Sequence, residues 1–237
     1  MANSSPKGFV VDFDDITGDT INTDKYVATI SAGGTLAITA QQVNGTVQGT
    51  TDGTDEDAGL LCTGLIYLPS NGFLRLEARA KISVITTARM FIGFSDATTE
   101  ADLLPMSIAG TTWTTTASTA AGLCYSSAAT TANWTAMCVD TDVDLSTPPL
   151  ADRILTGCAP VADTYQTFIV ELQDQGTGLS PVGTFSIIDD NGKIYTKRFT
   201  TNLTRGTLLC GAIGFQNEGA VAHTMTIDYI EVINSRS

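Results

Sequence analysis

The chain is poor in positive charge, in histidine and in long apolar runs, and each shortage argues against a class of function. Its 12 Lys and Arg stand against 25 Asp and Glu, a formal charge of −13. That excess repels phosphate backbones and anionic bilayers, so neither nucleic acid nor membrane is an expected partner. No apolar stretch approaches the roughly 18 residues of a membrane-spanning helix. The N-terminus, Met1-Ala-Asn-Ser-Ser-Pro-Lys, lacks the basic-then-apolar layout of a secretory signal, which predicts synthesis and folding in a cytoplasm. With one histidine, His223, no His-based zinc spacing exists, and no Gly-x-Ser-x-Gly elbow is present. His223 reads as a turn residue entering the last strand rather than as a general base.

Paired acids are also missing from the sequence pattern. A glycoside hydrolase needs two carboxylates held close together. Glu77 is followed by Ala-Arg-Ala-Lys and Glu171 by Leu-Gln-Asp-Gln, so neither of these strands carries paired acids on one face. Two acidic clusters remain as candidates for calcium, a hard ion that takes six to eight oxygens. Asp52, Asp55 and Asp57 form one; Asp140, Asp142 and Asp144 form the other, at the alternate positions that open an EF-hand loop. The second lacks the glycine and the glutamate that complete such a loop, and Ala151 stands in the glutamate's place. A solvated turn is the simpler reading of these acids.

The five cysteines, at 62, 124, 138, 158 and 210, include no C-x-x-C pair. Cys62 and Cys210 lie in apolar runs and read as small buried hydrophobes. Cys124, Cys138 and Cys158 lie in a looser region, where a disulfide, if formed, joins Cys138 to Cys158. Trp113 and Trp134 fall in the same region. An exposed tryptophan there is a platform for a sugar ring; a buried one packs the core.

What is present is strand. About one residue in six is threonine, and 22 glycines supply turns. Residues 73–85 alternate most clearly, with Leu74, Leu76, Ala78, Ala80 and Ile82 on one face and Arg75, Glu77, Arg79 and Lys81 on the other. Residues 89–95 are expected beside them. Residues 25–31 and 35–40, separated by Ala32-Gly-Gly, read as a hairpin, and Asp189-Asp-Asn-Gly as another. Residues 164–174, 208–216 and 225–232 are further strands, and the last is expected to close the domain by pairing with one from the start. Thirteen to fifteen strands and no linker predict an all-β, two-sheet antiparallel sandwich. Residues 1–50 are N-terminal strands or an arm, completing the sheets or reaching a neighbouring subunit, and 51–237 form the main body of one compact domain.

The order of Glu77-Ala-Arg-Ala-Lys, Phe91-Ile-Gly-Phe-Ser-Asp, Tyr165-Gln-Thr-Phe-Ile-Val-Glu-Leu, Asp190-Asn-Gly and Gly211-Ala-Ile-Gly-Phe-Gln-Asn resembles the concanavalin A-like jelly roll. More narrowly it is similar to the jelly-roll structural proteins of tailed bacteriophages, across residues 60–233. That resemblance implies a non-enzymatic virion protein on the capsid surface, a decoration (cement) subunit that bridges major capsid protein subunits. It implies a homo-oligomer, a trimer where the shell has local threefold symmetry. Its alternative is a carbohydrate-binding head or tail fibre module that touches a surface glycan through Trp113 or Trp134. The resemblance brings no catalytic residue and no cofactor.

Overall fold

The computed structural model describes residues 9–14, 20–39, 45–98 and 104–235. The lead-in expected over residues 1–7, the turn expected from Asp14 and the helical turn expected from Ala101 fall outside these in whole or in part. In chain order come β1 (Phe9–Asp14), β2 (Tyr26–Ile30), β3 (Thr35–Ile38), β4 (Val47–Thr50) and β5 (Ala58–Thr63). Then follow β6 (Phe73–Ile82), β7 (Ala88–Ser95), β8 (Met106–Ala109), β9 (Thr112–Thr115) and β10 (Ala120–Ser126). β11 (Thr135–Asp140) and β12 (Val143–Asp144) precede a single helical turn, α1 (Leu150–Arg153). The remaining strands are β13 (Gln166–Gln173), β14 (Val182–Ile188), β15 (Ile194–Thr200), β16 (Cys210–Asn217) and β17 (Thr224–Ser235).

Two large antiparallel sheets face each other. The first runs β15-β14-β13-β6-β17-β4-β3, and β1 also pairs with β17; the second runs β12-β11-β10-β7-β16-β5-β2. The long β17 organises the first sheet. One edge of it meets β6 along nearly its whole length, with a bulge between Ile227 and Tyr229. The other is shared, β4 pairing at residues 224–227 and β1 at residues 230–235.

The first sheet shows the alternation of a half-wet strand. Leu74, Leu76, Ala78, Ala80 and Ile82 of β6 are buried, and each fully buried leucine contributes about 1.5–3 kcal/mol. Its outer face carries charge paired across strands: Arg75 meets Glu231 at 3.1 Å and Glu171 at 3.4 Å, and Arg79 meets Asp228.

The second sheet is buried on both faces. Ile92, Phe94, Leu123 and Ile213 point into the sandwich, while Phe91, Cys124, Met137 and Ala212 point the other way. That outer face is covered by the β8–β9 hairpin, whose Met106 and Ile108 pack onto it beside Leu104. The molecule therefore has three layers and a second, smaller core. Gly214 permits the close approach: a Cβ there would lie 2.7 Å from Leu104 Cδ2 and 2.8 Å from Leu60 Cδ1.

Three expectations are corrected. β7 is not the neighbour of β6; it lies in the other sheet, between β10 and β16, because the link after Ile82 crosses the sandwich. β2 and β3 do not form a hairpin. They belong to opposite sheets, joined by a corner in which Gly33 adopts φ +88°. Finally, Cys138 and Cys158 form no disulfide: all five cysteines are free and buried. Cys124 and Cys138 lie in the paired strands β10 and β11, as the strand character of residues 122–127 and 133–140 leads one to expect. Burial pushes the Cys138 thiol far up and holds that of Cys158 at about 12, so neither is a thiolate at neutral pH.

Candidate functional site

The two tryptophans part company. Trp134 is 0% exposed. Its indole N–H donates to Gln166 Oε1 at 3.1 Å, and its ring meets Phe168 edge-on at 4.7 Å and Tyr125 at 5.7 Å. It is a core residue, which corrects its place among the glycan-binding candidates. Trp113 sits in β9, a strand rather than a loop at the sandwich's end, and is half-buried.

Trp113 lies opposite Ile108 on the face of the hairpin turned toward the second sheet. Beside it opens a groove of about 350 Å³, mostly apolar, walled by Ile108, Thr130, Thr131, Leu150 and Ala151. Backbone bonds fix the groove's rim. Gly110 N–H donates to Ala128 O at 2.7 Å, and Thr130 N–H donates back to Gly110 O at 3.0 Å. The rim is anchored in turn by Glu218, whose side chain is 5% exposed. That carboxylate accepts from Arg89 Nε (2.7 Å), Ser126 Oγ (2.7 Å), Ser127 Oγ and the Ala128 amide (2.9 Å). Outside the groove's own lining, the Arg153 guanidinium lies over the Trp113 ring, with Cζ 4.3 Å from the ring centroid. A smaller polar cavity of about 150 Å³, lined by Arg89, Gln216, Ser107 and Thr114, lies at another edge of the hairpin.

The acidic clusters do not converge. Among the described residues, no three His, Cys, Asp or Glu side chains come together as a metal ion would need. Asp140 accepts from Thr204 Oγ1 (2.8 Å) and Thr119 Oγ1 (3.2 Å), while Asp142 and Asp144 are exposed. The intervening Thr141 and Asp142 both take positive φ, the tight two-residue turn of a twisted hairpin. Asp52 and Asp57 both accept from the Thr54 amide, at 2.9 and 3.3 Å, and shape their own loop.

Cross-strand register gathers acids that sequence spacing does not show. Glu77, Glu171 and Glu231 come from β6, β13 and β17 and all contact Arg75 on the outer face of the first sheet. Glu77 also accepts from Tyr229 Oη at 2.6 Å. Each carboxylate is engaged by the arginine on an open sheet face rather than aimed into a cleft.

His223 is buried and fully bonded. Nδ1–H donates to Val221 O at 2.6 Å, so Nε2 accepts from Thr87 Oγ1 at 3.2 Å. Burial lowers its pKa below the ordinary 6.5, against the opposing pull of the Val221 carbonyl and Glu218. In the unfolded chain the ring binds a proton below about pH 6.5 that the folded form resists. Stability is then full above that pH and falls as the pH drops toward the folded value. Urea titrations between pH 7.5 and 5 are expected to show this decline in the wild type and to lose it in His223→Gln. An unchanged slope in the variant would refute the assignment.

No family model matches the chain, and no curated protein sequence matches it. Solved structures do. Peanut lectin, in a complex with a nine-residue peptide, superposes with a TM-score of 0.58 at 12% identity, covering 95% of this chain and 97% of the lectin. The fold is a concanavalin A-like jelly roll. The VIP36 exoplasmic/lumenal domain, in a form bound to Ca²⁺ and Man3GlcNAc, gives 0.53 at 12% identity, over 88% of this chain and 84% of its own. A protein of unknown function from Shewanella oneidensis MR-1 gives 0.65 at 13% identity, over 100% of this chain and 91% of its own. At these identities the jelly roll is shared, and sites are read from this chain's own residues.

Proposed function

We propose that this chain is a non-enzymatic module of a phage particle's surface, and that it binds carbohydrate in the groove beside Trp113. The carrying observation is that half-buried ring, facing a mostly apolar groove on a sandwich shared with peanut lectin over nearly the whole chain. An aromatic face with a few polar groups around it suits the apolar side of a sugar ring, and Thr130 and Thr131 supply hydroxyls for its edges. Binding here is expected to need no metal. On a glycan array, the wild type is expected to retain at least one saccharide, and Trp113→Ala to weaken it at least tenfold, about 1.4 kcal/mol. Failure to retain any glycan would overturn the reading.

A second reading is the capsid decoration protein, with the major capsid protein as partner and a trimer on the shell. It is supported by the phage jelly-roll resemblance and by an exposed apolar patch. The antiparallel bridge between Tyr67 and Leu209 sends Ile66 and Leu208 to the same outer side, where Ile66 is 64% exposed. Such a patch suits a protein partner. Quantitative mass spectrometry of purified particles tests it: hundreds of copies in simple ratio to the shell protein support decoration, and a few tens or fewer exclude it.

A further inference from the structure

We propose that Arg153 is an anion-reading residue of the Trp113 groove, so that the saccharide bound there is acidic, its carboxylate or sulfate meeting the guanidinium while its ring lies near Trp113. This rests on the glycan-binding reading above.

The argument starts from an unmet demand. Arg153 is 4% exposed, and its Nε and Nη1 are enclosed with no hydrogen-bond partner among the described residues. Among the described residues, no carboxylate forms an ion pair with it. Asp144 and Cys138 are near enough to act on its charge but make no bond to it. Lying over an indole offsets part of the desolvation and satisfies none of the N–H groups. A buried charged group with open donors is strongly unfavourable, and native proteins that keep one generally have an acceptor arriving from outside the chain.

The position says where that acceptor arrives. Leu150, Ala151 and Ile154, which flank Arg153 in sequence, all line the groove, as does the Trp113 ring against which the guanidinium lies. With one face covered by the indole, a ligand oxygen must approach in the guanidinium plane, the geometry in which arginine recognises carboxylate and sulfate. Charge makes the arrangement selective. A chain of net −13 repels acidic ligands in general, so a local cation at the groove is what admits one. α1 is one turn long and its N-cap, Pro149, makes no side-chain cap bond, whereas Ile154 is bridged to Thr135 and the Leu155 amide donates to Trp134 O at 2.8 Å. A movement that uncovers the donors is therefore confined to the Arg153 side chain and the turn before it.

The test uses an array carrying neutral, uronate, sialylated and sulfated glycans, followed by calorimetric titration of the best acidic binder and, where it is a carboxylate, its methyl ester. A sulfated binder is compared with its desulfated form. Hits are expected to be confined to acidic glycans, with at least tenfold weaker binding once the charge is masked. Arg153→Met is expected to erase that difference while keeping the melting temperature, and Arg153→Lys to retain part of it. Should neither variant fold, the masked and unmasked ligands on the wild type decide alone. Equal affinity for the two forms, or hits among neutral glycans only, overturns the acidic inference and leaves the glycan reading standing. If no glycan binds but sodium sulfate raises the melting temperature of the wild type and not of Arg153→Met, the anion site stands and the glycan reading falls. If neither glycan nor sulfate binds, both fall.

Discussion

Trp134→Ala is expected to lower the unfolding free energy by about 4 kcal/mol, within the range for removing a buried aromatic from a packed core. The indole fills space between Phe168 and Tyr125. The substitution also strips Gln166 Oε1 of its donor, leaving a buried amide half-satisfied. For a chain of this size that corresponds to a melting temperature lower by roughly 8–16 °C. Trp134→Phe separates the two contributions: it keeps most of the ring contact, loses the hydrogen bond, and is expected to cost about 1–2 kcal/mol. Thermal unfolding followed by far-UV circular dichroism checks both. A loss below 1 kcal/mol in the alanine variant would mean that the core does not close around this ring.

Glu218→Ala has the second largest expected effect, about 3 kcal/mol, and reaches the groove as well. One carboxylate there holds an arginine, two serine hydroxyls and a backbone amide. Without it Arg89 keeps only the longer contact to Gln216 Oε1, at 3.4 Å, in a poorly solvated place. Removing one partner of such a pair is strongly unfavourable because the other charge is left uncompensated. The Ala128 amide released at the same time belongs to the rim that Gly110 is bonded to. Weaker glycan binding should therefore accompany the loss of stability, whereas Trp134→Ala, studied below its melting point, should leave binding nearly intact. Hydrogen exchange across residues 126–131 reads the rim directly. Unchanged protection there in Glu218→Ala would break the link between this carboxylate and the groove.

Those parts of the fold were legible where one face of a strand is wet. The alternation over residues 73–82 and the pattern ending at Val232 translate directly into β6 and β17, and the pairing of β17 with β1 joins the chain's first described strand to its last. The turn at Asp190-Asn-Gly also lies where expected, between β14 and β15. Legibility failed where a short link has two meanings. Ala32-Gly-Gly serves a hairpin or a corner equally well, and only the partners of β2 and β3 decide. The β8–β9 hairpin was missed because its Thr, Ser and Ala residues alternate weakly, its burial coming from the sheet beneath it.

The site was legible in half. Both tryptophans were visible as candidates, but nothing local distinguishes Trp113, on a covering hairpin, from Trp134, at the centre of the sandwich. Arg153 carried no signal at all. It stands in a polar break after two prolines, and its burial arises from packing against a residue forty positions earlier. The three glutamates around Arg75 are likewise a product of register across β6, β13 and β17, which no single stretch encodes.

The placing of β17 also governs when this molecule can fold. Three strands wait for it: β6 along one side, β4 and β1 along the other. Two of them lie among the first fifty residues, so they leave the ribosome long before the segment they pair with. Until residues 224–235 are made, the first sheet is split down its middle, with hydrophobic edges on both halves. Closure is a late, long-range event, slow in the manner of folds built from distant contacts, and a nascent chain must remain unaggregated until then.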